Sequence, residues 1–481
     1  MTTPSARTPR IILATLASCG ILMSVMQTIV VPLLPRLPEL THSTPATVSW
    51  LLTVTLLTGA VFTPLLGRLG DMYGKRRVLL VAISLMIFGS LLCATSSEIS
   101  VLITGRAFQG AAIAVVPLGI SILRDELEPK RVIGAIATMS ATMGVGAALG
   151  IPAATVVVEY SDWHTMFWAC AVLGMCALVV VPMIVPESPV HISGRFDVLG
   201  ALGLSAILSL ILLAVSKGSE WGWVSAPTLG LAAAAVAITP IWVKHQLRCH
   251  EPMVRLHLFV RPAVLFTNLA ALLTGFAFYA NSLSTAQLVQ EPVSTGYGLG
   301  ASIIVSGLCL LPGGILMATL SPVSARISAA RGPRFTLIIA ALILIGGYVL
   351  RIFTSQSLAA IVFSTAVVAA GTAVAYSALP ALIMHAVPVT ETAAANGLNT
   401  LMRAIGQAVC SAVVATVLAS LVATHEGVTA PTLGAYQTVF VVAGLGAVAA
   451  LVLTLLIPAK KKKAVADPVE TTEVLETAGA A

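Results

Sequence analysis

Acidic residues are missing from the middle of every long apolar run in this sequence. The chain has 19 Asp and Glu among 481 residues, and all of them fall in polar stretches, in the tail or near the end of an apolar run. Charged residues make up 9% of the chain and hydrophobic residues 58%, whereas about 25% of a typical soluble domain is charged. The composition therefore excludes a soluble globular protein and favours a polytopic membrane protein without an acid buried at mid-membrane.

Sequence motifs of enzymes and metal sites are also missing. The chain has no GxxxxGK[ST] phosphate loop, no HExxH pair and no nucleophile elbow, so ATP-driven pumping and hydrolysis are unsupported. The seven cysteines form no CxxC pair, and all except Cys249 fall in apolar runs, where a cysteine behaves as a small core residue. We therefore predict no cofactor, no metal and no enzymatic activity.

Apolar runs long enough to cross a bilayer are abundant, since a span needs about 20 residues. Fourteen runs qualify, at 11–34, 47–66, 78–96, 99–123, 132–158, 165–185, 197–216, 226–243, 263–287, 299–320, 335–353, 358–384, 393–423 and 434–458. We number them spans 1 to 14. The pattern predicts an all-α polytopic membrane protein with fourteen transmembrane helices.

The distribution of basic residues predicts the orientation, because Lys and Arg accumulate in cytoplasmic loops. If both termini are cytoplasmic, all but five of the 26 bases lie on the cytoplasmic side. Arg36, Lys217 and Arg351 fall outside, and Arg106 and Arg403 lie within spans. The net charge of +7 thus reflects membrane topology rather than nucleic-acid binding, and it predicts a multi-pass protein of the cell membrane.

The loop between spans 2 and 3, GRLGDMYGKRR at Gly67–Arg77, belongs to an internal repeat. PLLGRLGDMYGKR, from Pro64, aligns with PVSARISAARGPR, from Pro322. The matched pairs are Pro64 with Pro322, Arg68 with Arg326, Leu69 with Ile327, Gly74 with Gly332 and Arg76 with Arg334. Span 2 therefore corresponds to span 10, so two extra helices, spans 7 and 8, are inserted between two halves of six.

These features resemble the major facilitator superfamily, and within it the fourteen-helix drug:proton antiporter branch. Gly67–Arg77 is similar to the family's first-loop motif GxLaDrxGrk, and LITGRAFQGAAIA, with Arg106, Gln109 and Gly110, is similar to its span 4 motif. The resemblance implies two pseudo-symmetric six-helix bundles around a central cavity, which give alternating access by rocking.

The chain is expected to divide accordingly into five parts. These are a cytoplasmic N-terminus at 1–10, an N-terminal six-helix bundle at 11–196, two inserted helices with a cytoplasmic linker at 197–262, a C-terminal six-helix bundle at 263–459 and a disordered cytoplasmic tail at 460–481.

The first loop is interpreted as a conformational latch formed by Gly67, Asp71, Gly74, Lys75 and Arg76. Asp71 can approach a helix N-terminus on the other bundle, where backbone amides favour an anion. We also expect Arg76 or Arg77 to pair with an acid such as Asp125 or Glu128. The alternative is a solvated basic loop that only fixes topology.

Arg106 places a full charge inside span 4, which costs about 2.5 to 3.5 kcal/mol on the insertion scale. Gln109 lies one turn away on the same face. We interpret the pair as a cavity charge that biases the protonation of a neighbouring group, with an arginine that bonds backbone carbonyls as the alternative.

Two motifs depart from the antiporter pattern. In span 5, GVGAALGIPAA contains Gly146, Gly150 and Pro152, but Ile151 interrupts the expected GPxxGG, so the residues predict helix packing and a bend. In span 1, Met26 stands where the branch has an aspartate. The remaining proton-coupling candidates are Asp71, Glu159, Asp162 and Glu39.

Polar residues within spans are the candidate substrate contacts. They are Gln27, Thr28, Asn268, Asn281, Tyr376, Asn399 and Arg403, and interhelical hydrogen bonding is the alternative for each. Because no acid lies mid-span, neutral, zwitterionic or anionic amphipathic substrates are favoured over lipophilic cations.

The leading functional hypothesis is export of a hydrophobic or amphipathic drug-like molecule in exchange for protons, by a protein that is a monomer in the lipid bilayer. The alternatives are uptake or facilitated diffusion of a metabolite on the same fold, and a transport-inactive sensor or scaffold.

Overall fold

The structure is a computed structural model that describes residues 8–30, 33, 37–188, 194–254, 256–353, 357–425 and 428–458. The predicted tail at 460–481, most of the predicted N-terminal segment and Arg36 lie outside these residues. Within them, each predicted span is a long helix: α1 Thr8–Thr28, α2 Pro45–Tyr73, α3 Lys75–Thr95, α4 Ile99–Glu126, α5 Pro129–Tyr160, α6 His164–Ile184, α7 Val198–Trp221, α8 Ala226–Arg248, α9 Pro262–Gln290, α10 Ile303–Arg331, α11 Pro333–Phe353, α12 Leu358–Ala386, α13 Thr392–Ser420 and α14 Leu433–Leu456.

Thirteen helices of the described residues are long and apolar enough to cross a membrane. The other predicted span, 132–158, lies within α5, which is 32 residues long. In α4 the turn Gly110–Ala114 is a tighter 3-10 helix. The prediction of a polytopic, almost entirely helical membrane protein is confirmed.

A β-hairpin between α13 and α14 was not predicted. Span 13 was expected to reach residue 423, but α13 ends at Ser420. Strands β1 Val422–His425 and β2 Val428–Pro431 then pair antiparallel, with Val422 opposite Pro431. The hairpin segment is rich in Val and Thr, which fit extended backbone better than a helix.

The helices form two bundles with separate apolar cores. The first core is built mainly from α1, α3, α4 and α6, and the second from α9, α11, α12, α13 and α14. The inserted helix α7 packs against α2 and α13, one from each bundle, and α8 packs against α7.

The sequence repeat is also a structural repeat. Gly74 and Gly332 both adopt positive φ, 111° and 88°, at matching turns, a conformation that glycine adopts without strain. Arg76 at the start of α3 donates to the Val185 carbonyl just after α6 (3.1 Å), and Arg334 in α11 donates to the Leu455 carbonyl in α14 (2.7 Å). In each bundle an arginine after the turn thus satisfies carbonyls at the end of the last helix.

The bundles meet through α2 with α13, α4 with α13, and α5 with α10 and α12. Two glycines mark close backbone approaches. A Cβ on Gly67 would lie 2.9 Å from the Ala393 carbonyl oxygen, and one on Gly397 would lie 3.0 Å from that of Thr63. Both contacts lie toward the end of the molecule that carries residues 67–77, here called the loop side, so the bundles are closed together there.

Candidate functional site

Asp71 caps a helix of the opposite bundle. Its carboxylate accepts hydrogen bonds from the backbone N–H groups of Ala394 (3.0 Å) and Ala393 (3.4 Å), in the first turn of α13, and Asp71 is only 1% exposed. The residue before α13, Glu391, makes no side-chain capping bond to this helix. First-turn amides have no partner within their own helix and favour an anion, so Asp71 supplies across the bundle contact the cap that α13 lacks locally.

Lys75 balances the negative charges of Asp71 and Asp125. Its Nζ is completely buried, 2.6 Å from Asp125 Oδ2 and 3.7 Å from Asp71 Oδ1. The Ser188 hydroxyl also donates to Asp125. Because removing one partner of a buried ion pair is strongly destabilising, Lys75 ties the start of α3 to the ends of α2 and α4.

Arg124 makes a second set of contacts between the bundles. Its guanidinium donates to the Met384 carbonyl oxygen (2.9 Å) in the last turn of α12 and to the Thr392 hydroxyl at the start of α13. A cation is favourable at the C-terminus of a helix, where carbonyl groups lack partners. Asp71 and Arg124 therefore bind opposite ends of neighbouring helices in the second bundle.

The two glycines of the predicted latch are required for different structural reasons. Gly67 faces the backbone of Ala393, where a Cβ would clash. Gly74 has a φ of 111°, and a Cβ there would lie 2.8 Å from Glu187 Oε1. One glycine allows α2 to approach α13, and the other allows the turn between α2 and α3.

The expected partners of Arg76 and Arg77 are wrong. Both guanidiniums lie near Glu187, with Nε to Oε2 distances of 3.7 Å, because α3 starts beside the segment that follows α6. Lys75, not an arginine, occupies Asp125. Among the described residues, the hydrogen bonds and the ion pair of Arg76 are therefore with its own bundle.

Arg106 and Gln109 form a buried hydrogen-bond network. The guanidinium donates to the carbonyls of Met26 (3.1 Å) and Leu51 (3.3 Å) and to Gln109 Oε1 (2.8 Å), and the Gln109 amide donates to Ser90 (2.9 Å). The predicted pairing of Arg106 with Gln109 is present. These contacts connect α1, α2, α3 and α4, which favours the alternative in which Arg106 bonds backbone carbonyls.

The predicted packing glycines of span 5 face α1. A Cβ on Gly146 would lie 2.5 Å from the Ser24 Cβ, and one on Gly150 would lie 2.1 Å from the Thr28 hydroxyl oxygen. Close approach of α5 to α1 therefore depends on both glycines. The side chain of Pro152 lies outside the described residues.

Four of the predicted cavity residues lie together in the second bundle. Asn399 donates to Asn268 Oδ1 (3.0 Å), and the Arg403 guanidinium stands 4.6 Å from the centre of the Tyr376 ring. Asn399 and Arg403 are one turn apart on α13. We call Asn268, Tyr376, Asn399 and Arg403 the Arg403 cluster.

The other predicted cavity residues lie apart from this cluster. Gln27 and Thr28 are half-buried on α1, and the Thr28 hydroxyl donates to the Val25 carbonyl of its own helix (3.1 Å). Asn281 accepts a hydrogen bond from Arg351 (3.2 Å).

Arg351, which charge counting placed on the outer side, is a buried residue in the last turn of α11. It is 2% exposed, donates to Thr285 (2.8 Å) and Thr365 and lies 4.4 Å from the centre of the Phe440 ring. Lys217, which charge counting placed on the same side, is also buried, near the end of α7, and bonds to Glu220 (2.7 Å). Both residues lie near the end of an apolar run, where sequence alone does not distinguish a loop from a buried helix end.

Two of the other candidate proton carriers, Glu39 and Asp162, are exposed. The side chain of Glu159 lies outside the described residues. The Asp162 carboxylate accepts a hydrogen bond from the His164 backbone N–H (2.7 Å), and this bond holds the pKa of that carboxyl below its ordinary value.

A polar cluster joins the inserted helices at the loop side. Asp197 accepts hydrogen bonds from the Gly200 and Met253 backbone N–H groups (2.7 and 3.3 Å) and from Gln246 (2.7 Å), and it lies 2.8 Å from His245 Nε2. Burial raises the pKa of the Asp197 carboxyl, but these hydrogen bonds outweigh that effect and hold the pKa below its usual value.

Cys249 lies beside this cluster. The ligand atoms of Asp197, His245 and Cys249 lie within 4.8 Å of one another. Because hydrogen bonds already engage both oxygens of Asp197, the group is explained as a clamp between α7, α8 and the segment after α8.

Comparisons with known proteins identify the family to which this architecture belongs. The sequence model of the Major Facilitator Superfamily matches residues 16–411. The multidrug resistance protein Stp of Mycobacterium tuberculosis is 28% identical over 375 residues, which are 77% of this chain and 68% of that protein. The tetracenomycin C resistance and export protein of Streptomyces glaucescens is 26% identical over 327 residues, 67% of this chain and 60% of that protein.

A solved structure shows the same fold. The crystal structure of the human organic anion transporter MFSD10 matches with a TM-score of 0.69 at 17% identity, covering 95% of this chain and 100% of that one. With the family match over most of the sequence, two helical bundles and a duplicated first-loop motif, this polytopic membrane protein belongs to the major facilitator superfamily of transporters.

Proposed function

We propose that the protein exports a hydrophobic or amphipathic compound across the cell membrane by alternating access, in exchange for protons. The observation that carries the proposal is the capping of α13 by Asp71, because it links an ionisable group to closure of the loop side. The similarity to proteins named for multidrug resistance and for tetracenomycin C export supports drug-like compounds as the cargo.

The coupling follows from the chemistry of the cap. An ionised Asp71 accepts from two amides of the opposite bundle, whereas a protonated carboxyl keeps acceptor capacity but loses its charge and its attraction to the helix N-terminus. A negative charge near a helix N-terminus contributes about 0.3 to 1 kcal/mol, and up to about 2 kcal/mol where it is partly buried. Protonation of Asp71 would therefore favour separation of the bundles at the loop side, which we assign to the cytoplasm.

Transport in an efflux-deficient bacterial host tests this function. Cells that express the chain are loaded with fluorescent and antibiotic compounds of varied charge, and accumulation is followed with and without an uncoupler. We expect lowered accumulation that the uncoupler abolishes. Raised accumulation would indicate uptake and would contradict export, as would no effect across the panel with the protein verified in the membrane.

Asp71→Asn keeps the shape of the side chain but removes its charge, so export should fall at least several-fold. The matched control is Glu187→Gln, since Glu187 is also a loop-side acid but contacts only its own bundle through Arg76 and Arg77. The control should export like the unaltered protein. Normal export by Asp71→Asn would contradict the role of Asp71.

A further inference from the structure

The Arg403 cluster carries a positive charge without a carboxylate partner. Arg403 is 4% exposed, and none of the ion pairs between described residues includes it. Its Nη2 donates to Thr400 (3.0 Å), one turn earlier on α13. A buried cation is ordinarily paired, so this guanidinium lacks the partner that its chemistry calls for.

Members of the Arg403 cluster also carry unused hydrogen-bonding groups. Arg403 Nε and Asn268 Nδ2 are buried donors without an acceptor, and Asn399 Oδ1 is a buried acceptor without a donor. In native proteins the large majority of buried polar atoms have partners. The cation thus has an unused donor of its own, and Asn268 supplies a second. Such donors match an acceptor-rich anionic group, to which arginine donates strongly.

The surroundings of the cluster are apolar and aromatic. Tyr376 lies against the cation on one ring face, and the Phe278 ring centre is 5.8 Å from that of Tyr376. Met402 packs on the same core cluster. A ligand at this position would meet one cation and several apolar side chains, as an amphipathic molecule requires.

The apolar core cluster that contains Tyr376 extends to the contact between the two bundles. Met143 of α5 and Met317 of α10 both pack in the core cluster that contains Tyr376, and a Cβ on Gly144 of α5 would lie 2.2 Å from the Met317 sulfur. Side chains of both bundles therefore reach the surroundings of Tyr376. Separation of the bundles would change access to this position, as a transport substrate site requires.

We propose that Arg403, Asn268, Asn399 and Tyr376 bind the carboxylate head of an amphipathic anion that the protein transports. Arg403 neutralises the carboxylate, the two asparagines complete its hydrogen bonds, and Tyr376 holds the guanidinium in place. This assignment rests on the proposed export function and specifies its substrate class.

A matched set of probes separates the effect of the ligand's head-group charge from that of its apolar body. Pyrenebutyrate, pyrenebutyramide and pyrenebutyl-trimethylammonium share an apolar body and differ in their heads, which are anionic, neutral and cationic. Binding is measured on the purified full-length protein, and uptake is measured in energised inverted membrane vesicles. We expect the carboxylate to bind about tenfold or more tightly than the amide, with the cation weakest.

Two variants test the residue. Arg403→Gln should remove the preference for the carboxylate over the amide while leaving amide binding unchanged, and Arg403→Lys should restore part of it because the charge remains. The control is Arg351→Lys, which alters another buried arginine and should keep the full preference. Size-exclusion profiles and melting temperatures identify any variant that fails to fold, and Asn399→Ala, which retains the charge, then provides a second test by weakening carboxylate binding.

The outcomes separate this proposal from the export function. Transport without a carboxylate preference, or with a preference that survives Arg403→Gln in a folded protein, overturns the carboxylate site and leaves export standing. Carboxylate binding that depends on Arg403 but is not followed by vesicle transport supports the site and contradicts export. Absence of carboxylate binding to the folded protein overturns the site.

Discussion

At the scale of single residues, several arginines of this molecule are buried away from carboxylates. Arg106 donates to two carbonyls and to Gln109, whereas Arg351 donates to three side chains and faces Phe440. Hydrogen bonds from a charged donor are stronger than those between neutral groups. Each arginine therefore holds several helices in place.

Arg106→Lys should lower stability although it keeps the charge. A lysine ammonium is a compact donor and does not reproduce the planar fork of arginine, so it would leave at least one of the carbonyls at Met26 and Leu51 unpaired, at a cost of about 1 to 3 kcal/mol. The melting temperature in detergent is the measurement, and Arg77→Lys, at a side chain that is 76% exposed, is the control. Equal melting temperatures for the two variants would contradict the structural role.

For single residues, the sequence predicted which side chains are important better than it predicted the residues that they contact. Arg106 stood out because its charge lies inside an apolar run, and its neighbour Gln109 follows from helical spacing. The partners of Arg351 lie on α9 and α12, which are distant in sequence, so charge counting placed this residue outside. For the same reason Glu187 was missed as the acid near Arg76.

At the scale of helices, the inserted pair is held by its own polar clamp. Asp197 caps the start of α7 and also binds residues of α8 and of the segment that follows. The Trp242 indole donates to the Gly200 carbonyl (2.7 Å) between the same helices. α7 and α8 therefore form a unit, and α7 attaches it to both bundles.

This clamp predicts a pH dependence of stability. Because the pKa of Asp197 is lower in the folded state than in the unfolded state, its stabilising contribution is fully present above about pH 4, near the ordinary pKa, and is lost as the pH falls through the folded-state pKa. The melting temperature should thus be higher for the unaltered protein than for Asp197→Ala at pH 7, and the difference should shrink below about pH 4. A constant difference across this range would contradict the linkage.

The helices themselves were largely predictable, because length and apolarity determine whether a segment can cross a bilayer. All fourteen predicted spans fall on helices. Their ends were less predictable: α2 continues through Tyr73, beyond the predicted 66, because Asp71 and its neighbours are buried against the other bundle. The start of β1 was missed because Val422 and Ala423 are apolar enough to extend span 13.

At the scale of the whole molecule, the two halves of the repeat share the glycine turn and the arginine after it, but they differ in their acidic residues. Gly74 and Gly332, and Arg76 and Arg334, have equivalent positions. Asp71 has no acidic counterpart, since the aligned residue is Ala329, which is exposed. The carboxylate that caps a helix of the opposite bundle at the loop side therefore comes from one half only, and we propose this acid as the point of control.

Electron-paramagnetic-resonance distances across the loop side test this claim most directly. Spin labels are placed at Tyr73→Cys, at the end of α2, and Thr390→Cys, just before α13, with Cys176 and Cys249 replaced by serine. Both labelled positions are exposed, and Glu187→Gln serves as the charge-removal control.

We expect one predominant short distance in the labelled parent protein and in the control. Asp71→Asn should shift a substantial fraction to longer distances, because α13 loses its anionic cap. The same single short distance in the folded Asp71→Asn protein would contradict the claim that this carboxylate holds the bundles together.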